Sequence, residues 1–153
     1  MRIVVQRVSR AAVRVDGEVI GEIGPGAVVL LGIGADDDAR LADRMADKLE
    51  GLRYFPDAEE LTNLTLADAG GRFLVISQFT LYADLRRGRR PGFSDAAAPE
   101  LAAPLVDRFV ERLRSLGHDV ATGRFGAMMD VELVNDGPFT LVLDSARDLG
   151  PNQ

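Results

Sequence analysis

The sequence predicts a single α+β domain: a mostly antiparallel or mixed, barrel-like β-sheet with two main helices packed on it. Three observations carry that expectation. Residues 2–34 read as consecutive strands, and two later segments repeat apolar residues at helical spacing. The chain has 153 residues, within the roughly 100–200 of one domain, and shows neither an internal repeat nor a linker. The domain is expected over residues 1–145, with 146–153 a loose C-terminal tail.

The elements follow in order. Ile3-Val4-Val5-Gln6-Arg7-Val8 is rich in β-branched residues, and Val13 and Val15 alternate with Arg14 and Asp16, a strand pattern. Asp16-Gly17 then sits between two such runs, where a type I′ hairpin turn needs φ > 0 at both central positions. Gly24-Pro25-Gly26 predicts a second turn. Ala27 to Leu31 is continuously apolar, which predicts a strand covered on both faces. Asp36-Asp37-Asp38 opens a helix, because carboxylates suit the positive end of its dipole. Leu41, Met45 and Leu49, with Ala42 and Ala46, form its buried stripe. Phe73-Leu74-Val75-Ile76 is a second buried strand. A second helix ends near Leu116, with Leu105, Phe109, Leu113 and Leu116 on one face and Gly117 as its stop. Pro99 suits a first turn, whereas Pro104 predicts a kink or a helix that begins there. Met129, Val131 and Leu133 alternate with Asp130 and Glu132, and Phe139 to Leu143 is the last strand candidate.

Composition excludes several chemistries. There is no Cys and a single His, His118, so thiolate sites, disulfides, multi-His metal clusters and HExxH zinc sites are ruled out. Neither metal nor cofactor is expected. Hydrophobic residues make up 46% of the chain, yet no run approaches the roughly 20 apolar residues of a membrane span. Charge interrupts the N-terminus too early for a signal peptide, so a soluble cytoplasmic protein is expected. The net charge of −6 argues against a broadly basic nucleic-acid binder. Positive charge is clustered all the same at Arg86, Arg87, Arg89 and Arg90, a candidate for local phosphate contact.

Other features read blandly. Gly32-Ile33-Gly34 lacks the third glycine of a dinucleotide loop and precedes three aspartates that would repel a pyrophosphate. His118 reads as an exposed loop residue, and no two carboxylates stand out as an acid–base couple.

Two motifs carry more. Ser77-Gln78-Phe79-Thr80-Leu81 follows a buried strand with a hydroxyl, an amide, an aromatic ring and a second hydroxyl. It reads either as a strand passing into a loop or as a site at a strand end, where backbone N–H groups come free. Asn135-Asp136-Gly137-Pro138-Phe139-Thr140 reads as a hairpin turn between two strand candidates. Alternatively, a cis Gly137-Pro138 bond, a geometry found in about 5–6% of X-Pro bonds, would turn two carbonyls the same way as a rigid acceptor for an ammonium group.

Taken in order, these motifs resemble the D-aminoacyl-tRNA deacylases, also called D-tyrosyl-tRNA deacylases. The resemblance spans nearly the whole chain. It includes Gln6-Arg7-Val8, Asp16-Gly17-Glu18, Leu30-Leu31-Gly32, Arg53-Tyr54-Phe55 and Thr122-Gly123-Arg124-Phe125-Gly126-Ala127 besides the two motifs above. It implies hydrolysis of the ester joining a D-amino acid, or glycine, to tRNA, with L-aminoacyl-tRNA spared. It further implies a cytoplasmic homodimer without metal or cofactor. In such enzymes the two motifs of opposite subunits meet, and the Gly-Pro pair is cis and holds the substrate's α-amino group. The chain departs from the family where Gly92 stands in place of a common Ser, and around Asn63 between Leu61 and Asp68.

The resemblance assigns Ser77, Gln78, Phe79 and Thr80 to catalysis, and Gly137, Pro138, Asn135, Thr140 and Arg7 to substrate binding. An aminoacyl ester is already activated and carries the neighbouring ribose 2′-OH, whose positioning can replace a side-chain base. Phe79 would stack on the terminal adenine. The N–H groups of Phe79 and Thr80 would face the oxyanion. Thr80 would position rather than attack, and Arg7 would brace the Gly137-Pro138 turn. Two other readings stay open: a non-enzymatic RNA-binding module, and a small-molecule esterase using Thr80.

Overall fold

The computed structural model describes residues 1–151. Its strands are β1 (Arg2–Val15), β2 (Glu18–Ile23), β3 (Gly26–Gly32), β4 (Arg53–Pro56), β5 (Thr62–Thr65), β6 (Arg72–Ser77), β7 (Val120–Thr122) and β8 (Asp130–Asp144). The helices are α1 (Ala39–Glu50), α2 (Pro99–Ser115) and a short α3 (Ser145–Asp148), with a 3-10 turn at Phe79–Tyr82. The main sheet runs β2-β1-β3-β6-β7, and β8 lies along β1. Pairing is antiparallel except at β3–β6 and β6–β7, which are parallel. The mixed sheet is nearly closed and barrel-like. At the closure a Cβ on Gly21 of β2 would lie 2.7 Å from the Thr122 carbonyl of β7, so the two strands approach where one has no side chain.

The apolar runs are buried on both faces because the sheet covers two cores. Ala27, Val29, Leu31, Phe73 and Val75 face the larger core, beneath the helices. Val28, Leu74 and Ile76 face a smaller one with Val8, Val13 and Ile23, inside the curl of the sheet. The turn between β1 and β2 has positive φ at Asp16 (50°) and Gly17 (80°), as the type I′ expectation requires.

Helix α1 starts at Asp38, whose carboxylate accepts from the Leu41 N–H at 2.8 Å; Ala42, Met45, Ala46 and Leu49 are its buried face. Of the three aspartates only Asp38 caps the helix. Asp37 instead accepts from the Met1 ammonium and from the Gly34 N–H. The two long helices are laced by paired ions, Arg108 to Asp43 and Arg112 to Asp47, both at 2.6 Å. The Arg108 guanidinium holds the Asp43 carboxyl below the usual carboxylate range.

Several expectations are corrected. Helix α2 runs unbroken from Pro99 through Pro104. The hydrogen bond that Pro104 forgoes would have gone to the carbonyl of exposed Glu100, which water can satisfy. Leu116 is exposed because it follows the last turn as the cap. There the Gly117 N–H donates to the Arg114 carbonyl and the His118 N–H to the Leu113 carbonyl, a Schellman closure. His118 is not a free loop residue. Its side chain is buried edge-on against Phe73, ring centres 5.1 Å apart, and lies 3.7 Å from Glu50.

The glycines of Gly32-Ile33-Gly34 serve packing. A Cβ at either would sit 2.9 Å from Leu81 or from the Tyr82 ring. The segments at 130–133 and 140–143 are not two strands of a hairpin; both belong to β8 and pair with β1. Of the tail at 146–153, Ala146–Asp148 are helical and Leu149 packs on the larger core. Asn152 and Gln153 lie outside the described residues. Among the described residues, no helix is long and apolar enough to cross a membrane.

Candidate active site

Strand β6 ends at Ser77, and the chain turns at once into the 3-10 segment Phe79–Tyr82. Gln78 makes the turn: its N–H donates to the Leu31 carbonyl at 2.8 Å, extending the β3 pairing by one bond. Its own carbonyl then accepts from Leu81. Between those bonds the N–H groups of Phe79 and Thr80 donate to nothing among the described residues. They are preformed donors held at a strand end, as free helix-start N–H groups are. The Gln78 side-chain amide donates to the Thr80 hydroxyl. The hydroxyl itself donates to nothing among the described residues.

Beside this turn lies a cavity of about 440 Å³. Phe79, Phe93 and Phe125 line it, and Ser77, Gln78 and Gly126 contribute polar or backbone groups. All three rings are unusually exposed, Phe79 at 58%, and Phe79 meets Phe93 edge-on with ring centres 5.0 Å apart. Thr80 is exposed beside the cavity rather than in its wall.

The second group sits in β8. From Gln6 to Val8, β1 advances two residues, while β8 goes from Thr140 back to Asn135, so the residues between bulge out. The Gly137-Pro138 bond is cis and Gly137 has φ of 133°. Side chains hold the bulge. Asn135 accepts from the Phe139 N–H at 2.8 Å and donates to the Thr140 hydroxyl at 2.9 Å. Arg7, its side chain 11% exposed, donates to the carbonyls of Asp136 (3.1 Å) and Tyr54 (2.8 Å) and lies over the Phe139 ring at 4.7 Å. The brace expected of Arg7 therefore falls on the carbonyl of Asp136, one residue before Gly137.

The structure brings Ser77, Gln78, Phe79 and Thr80 together, and separately Arg7, Asn135, Gly137, Pro138 and Thr140. No hydrogen bond or ion pair joins the two groups among the described residues, and none of the second group lines the aromatic cavity. Sequence reasoning missed Phe93 and Phe125 as cavity walls. Their signal was composition: aromatic residues flanked by glycine, arginine and serine rather than set in an apolar pattern. Among the described residues, no three His, Asp or Glu converge as a metal site.

Free N–H donors at the mouth of a base-sized aromatic cavity define a site suited to acyl transfer on a nucleoside-bearing substrate. Comparison with known proteins places the chain further. Residues 4–144 match the family model described as D-Tyr-tRNA(Tyr) deacylase. A D-aminoacyl-tRNA deacylase of Symbiobacterium thermophilum is 60% identical over 147 residues, covering 96% of this chain and 97% of that protein. One from Clostridioides difficile is 54% identical, covering 96% and 99%. The solved c-Myc DNA Unwinding Element Binding Protein is 39% identical with a TM-score of 0.89, covering 95% and 99%. A probable eukaryotic D-amino acid tRNA deacylase shares the fold, with a TM-score of 0.81 at 18% identity. The chain belongs to the D-Tyr-tRNA(Tyr) deacylase family.

Proposed function

We propose that the protein cleaves D-aminoacyl-tRNA to the free D-amino acid and tRNA, as an ester hydrolase of its family, at two sites each shared between the subunits of a homodimer. The observation that carries this reading is the pair of unengaged N–H groups at Phe79 and Thr80 beside the aromatic cavity. The terminal adenine lies in the cavity with its face on Phe79. This docks the 3′-ester carbonyl near the two N–H groups, which stabilise the negative charge that develops on its oxygen. Each such donor is worth on the order of 10²–10³ in rate.

Thr80 positions the attacking group and does not attack. Its hydroxyl receives a hydrogen bond from Gln78, a donor that cannot take its proton, whereas a nucleophilic hydroxyl needs an adjacent base. The substrate's own 2′-OH lies next to the ester and assists a water molecule in attacking the carbonyl; the acyl–O3′ bond breaks, the water oxygen stays on the free D-amino acid, and a water proton ends on the leaving 3′-oxygen of the tRNA.

The separation of the two residue groups supports the shared site. The aromatic cavity is lined by neither Gly137 nor Pro138 of the same chain, and a partner subunit would bring the bulge to it. Strand β8 is suited to such a partner. Its edge away from β1 pairs with no strand among the described residues, and exposed Val131, Val134 and Val142 lie along β8, an arrangement that invites association. Presented to the partner's cavity, the rigid backbone at Gly137 receives the α-ammonium group. It leaves room for hydrogen or a D side chain where an L side chain would meet backbone. Glycyl-tRNA passes the same filter.

The test is deacylation of matched D- and L-tyrosyl-tRNA, with a third substrate whose terminal adenosine is 2′-deoxy. D-tyrosyl-tRNA is cleaved, the L form is spared, and the deoxy substrate loses most of its rate. Equal cleavage of both enantiomers would overturn the steric filter. A fully reactive deoxy substrate would remove the assisting role of the 2′-OH. Sedimentation of a fully active monomer would overturn the shared site.

A further inference from the structure

Beyond the cavity, positive charge is concentrated on one exposed loop. Asp84 and Gly92 pair through two backbone hydrogen bonds of 2.7 and 3.0 Å and close the loop 85–91 at its base. Arg86 is spent locally: its backbone N–H and its guanidinium donate to the Asp84 carboxylate at 2.8 to 3.0 Å. With Asp84 so occupied, Arg87, Arg89 and Arg90 have neither an ion pair nor a hydrogen bond among the described residues, and all three are exposed. The contrast with the rest of the chain is chemical. Most arginines elsewhere are paired, as Arg108 is with Asp43 and Arg112 with Asp47, and the unpaired Arg40, Arg53 and Arg124 stand singly, in a protein whose net charge is −6. Three free guanidinium groups on one anchored loop therefore run against the overall charge.

The position of the loop identifies the ligand. Phe93 follows Gly92 directly and forms the cavity wall against Phe79. The arginines thus hang from a strap whose foot is the aromatic cavity. Aromatic faces that take a base, joined to cations that take phosphates, form the combination that binds single-stranded nucleic acid. Guanidinium forks suit phosphate oxygens because they donate two parallel hydrogen bonds.

Resting on the deacylase reading above, we infer that Arg87, Arg89 and Arg90 form a sequence-independent clamp on the RNA backbone phosphates that precede the terminal adenosine. The clamp binds the strand, while the chemistry stays at Phe79 and Thr80. An acidic protein thereby holds a polyanionic substrate by one short loop.

The experiment uses the full-length protein and its R87Q/R89Q/R90Q variant on two substrates, D-tyrosyl-tRNA and D-tyrosyl-adenosine, which has no phosphate. On the tRNA, KM rises about tenfold or more near 0.1 M salt while kcat is kept. The log–log dependence of kcat/KM on salt flattens by about 2–3, the slope of about three phosphate contacts. On D-tyrosyl-adenosine kcat/KM is unchanged. An R40Q/R53Q control, which removes exposed charge from other elements, leaves both substrates unaffected.

Equal losses on both substrates would overturn the clamp, because the loop would then act on the cavity itself. An unchanged KM and salt slope on tRNA would also overturn it. Fluorescence anisotropy with uncharged tRNA reads the loop independently of catalysis: the variant binds about tenfold or more weakly, and equal affinity overturns the proposal. A wild type that binds tRNA but cleaves no D-aminoacyl ester would defeat the deacylase reading and leave the loop's binding role standing.

Discussion

The strand end at Ser77 and the bulge at Gly137 present backbone groups to the same proposed substrate by different means. At the strand end the fold itself leaves donors free: β3 captures Gln78, the 3-10 turn begins, and two N–H groups fall between. The surrounding surface is apolar and aromatic, with room to spare. At the bulge the chain is pinned by named side chains, Asn135 and Arg7 above all, in a segment where a Cβ would not fit. One half therefore tolerates change at its edges and depends on its rings. The other depends on a fixed backbone position.

The largest expected effect tests the bulge. A Cβ at Gly137 would lie 3.0 Å from the Arg7 guanidinium and from the Phe139 nitrogen, in a residue at φ of 133°. Gly137→Ala must shift the backbone or displace Arg7, with strain of about 1–3 kcal/mol. Turnover of D-tyrosyl-tRNA is expected to fall about 10²-fold, the usual consequence of a 1 Å misplacement. The thermal melt stays cooperative. Steady-state kinetics beside a melting curve checks this, and undiminished turnover would show that the bulge faces no substrate.

The second effect belongs to the cavity. Phe79→Ala removes a stacking face worth about 1–3 kcal/mol, so KM for D-tyrosyl-tRNA is expected to rise about 5- to 150-fold. The loss appears in substrate binding, because the N–H groups of Phe79 and Thr80 belong to the backbone and remain. A fall in kcat with KM unchanged would instead place the ring against the reacting carbonyl.

These halves were unequally legible in the sequence. The buried runs at Ala27–Leu31 and Phe73–Ile76, the Asp16-Gly17 turn and the α1 stripe are local patterns, and local patterns announce themselves. The strand-end motif was legible because polar residues interrupt a buried run at a definite point. Of the two readings of the bulge, a hairpin turn or a cis Gly137-Pro138 acceptor, the hairpin fails for a physical reason. Asn-Asp-Gly-Pro has the composition of a turn, and only the pairing of both flanks with β1 makes it a bulge. That pairing joins residues as far apart in sequence as Arg2 and Asp144 and leaves no local trace. Strands β4, β5 and β7 were missed because three or four residues show no period. Phe93 and Phe125 were missed because loops bring them to Phe79 from distant segments, and His118 because its partners Phe73 and Glu50 are equally remote.

A smaller effect separates positioning from attack at the strand end. Thr80→Ala removes one neutral hydrogen bond, worth about 0.5–1.5 kcal/mol, and is expected to lower kcat/KM about 2- to 12-fold. Single-turnover rates decide the point. Abolished chemistry with tRNA binding intact would make Thr80 the nucleophile.

The smallest expected effect mirrors the largest. Gly92 lies on the cavity side, where the resemblance to the family would place a serine. A Cβ there would meet only Asp84, at 3.9 Å, an ordinary contact. Both backbone hydrogen bonds to Asp84 are ones that any residue but proline makes. Gly92 also lies outside the left-handed region, so a side chain adds no backbone strain. Gly92→Ser is therefore expected to change stability by no more than about 0.5 kcal/mol, as surface substitutions generally do, and kcat/KM by no more than about twofold. Gly137→Ala and Gly92→Ser each give a glycine beside the proposed substrate a side chain, yet their expected effects differ by about 10²-fold. If Gly92→Ser raised kcat/KM tenfold, the hydroxyl would be a working part of the cavity, and the tolerance assigned to that half of the site would be wrong.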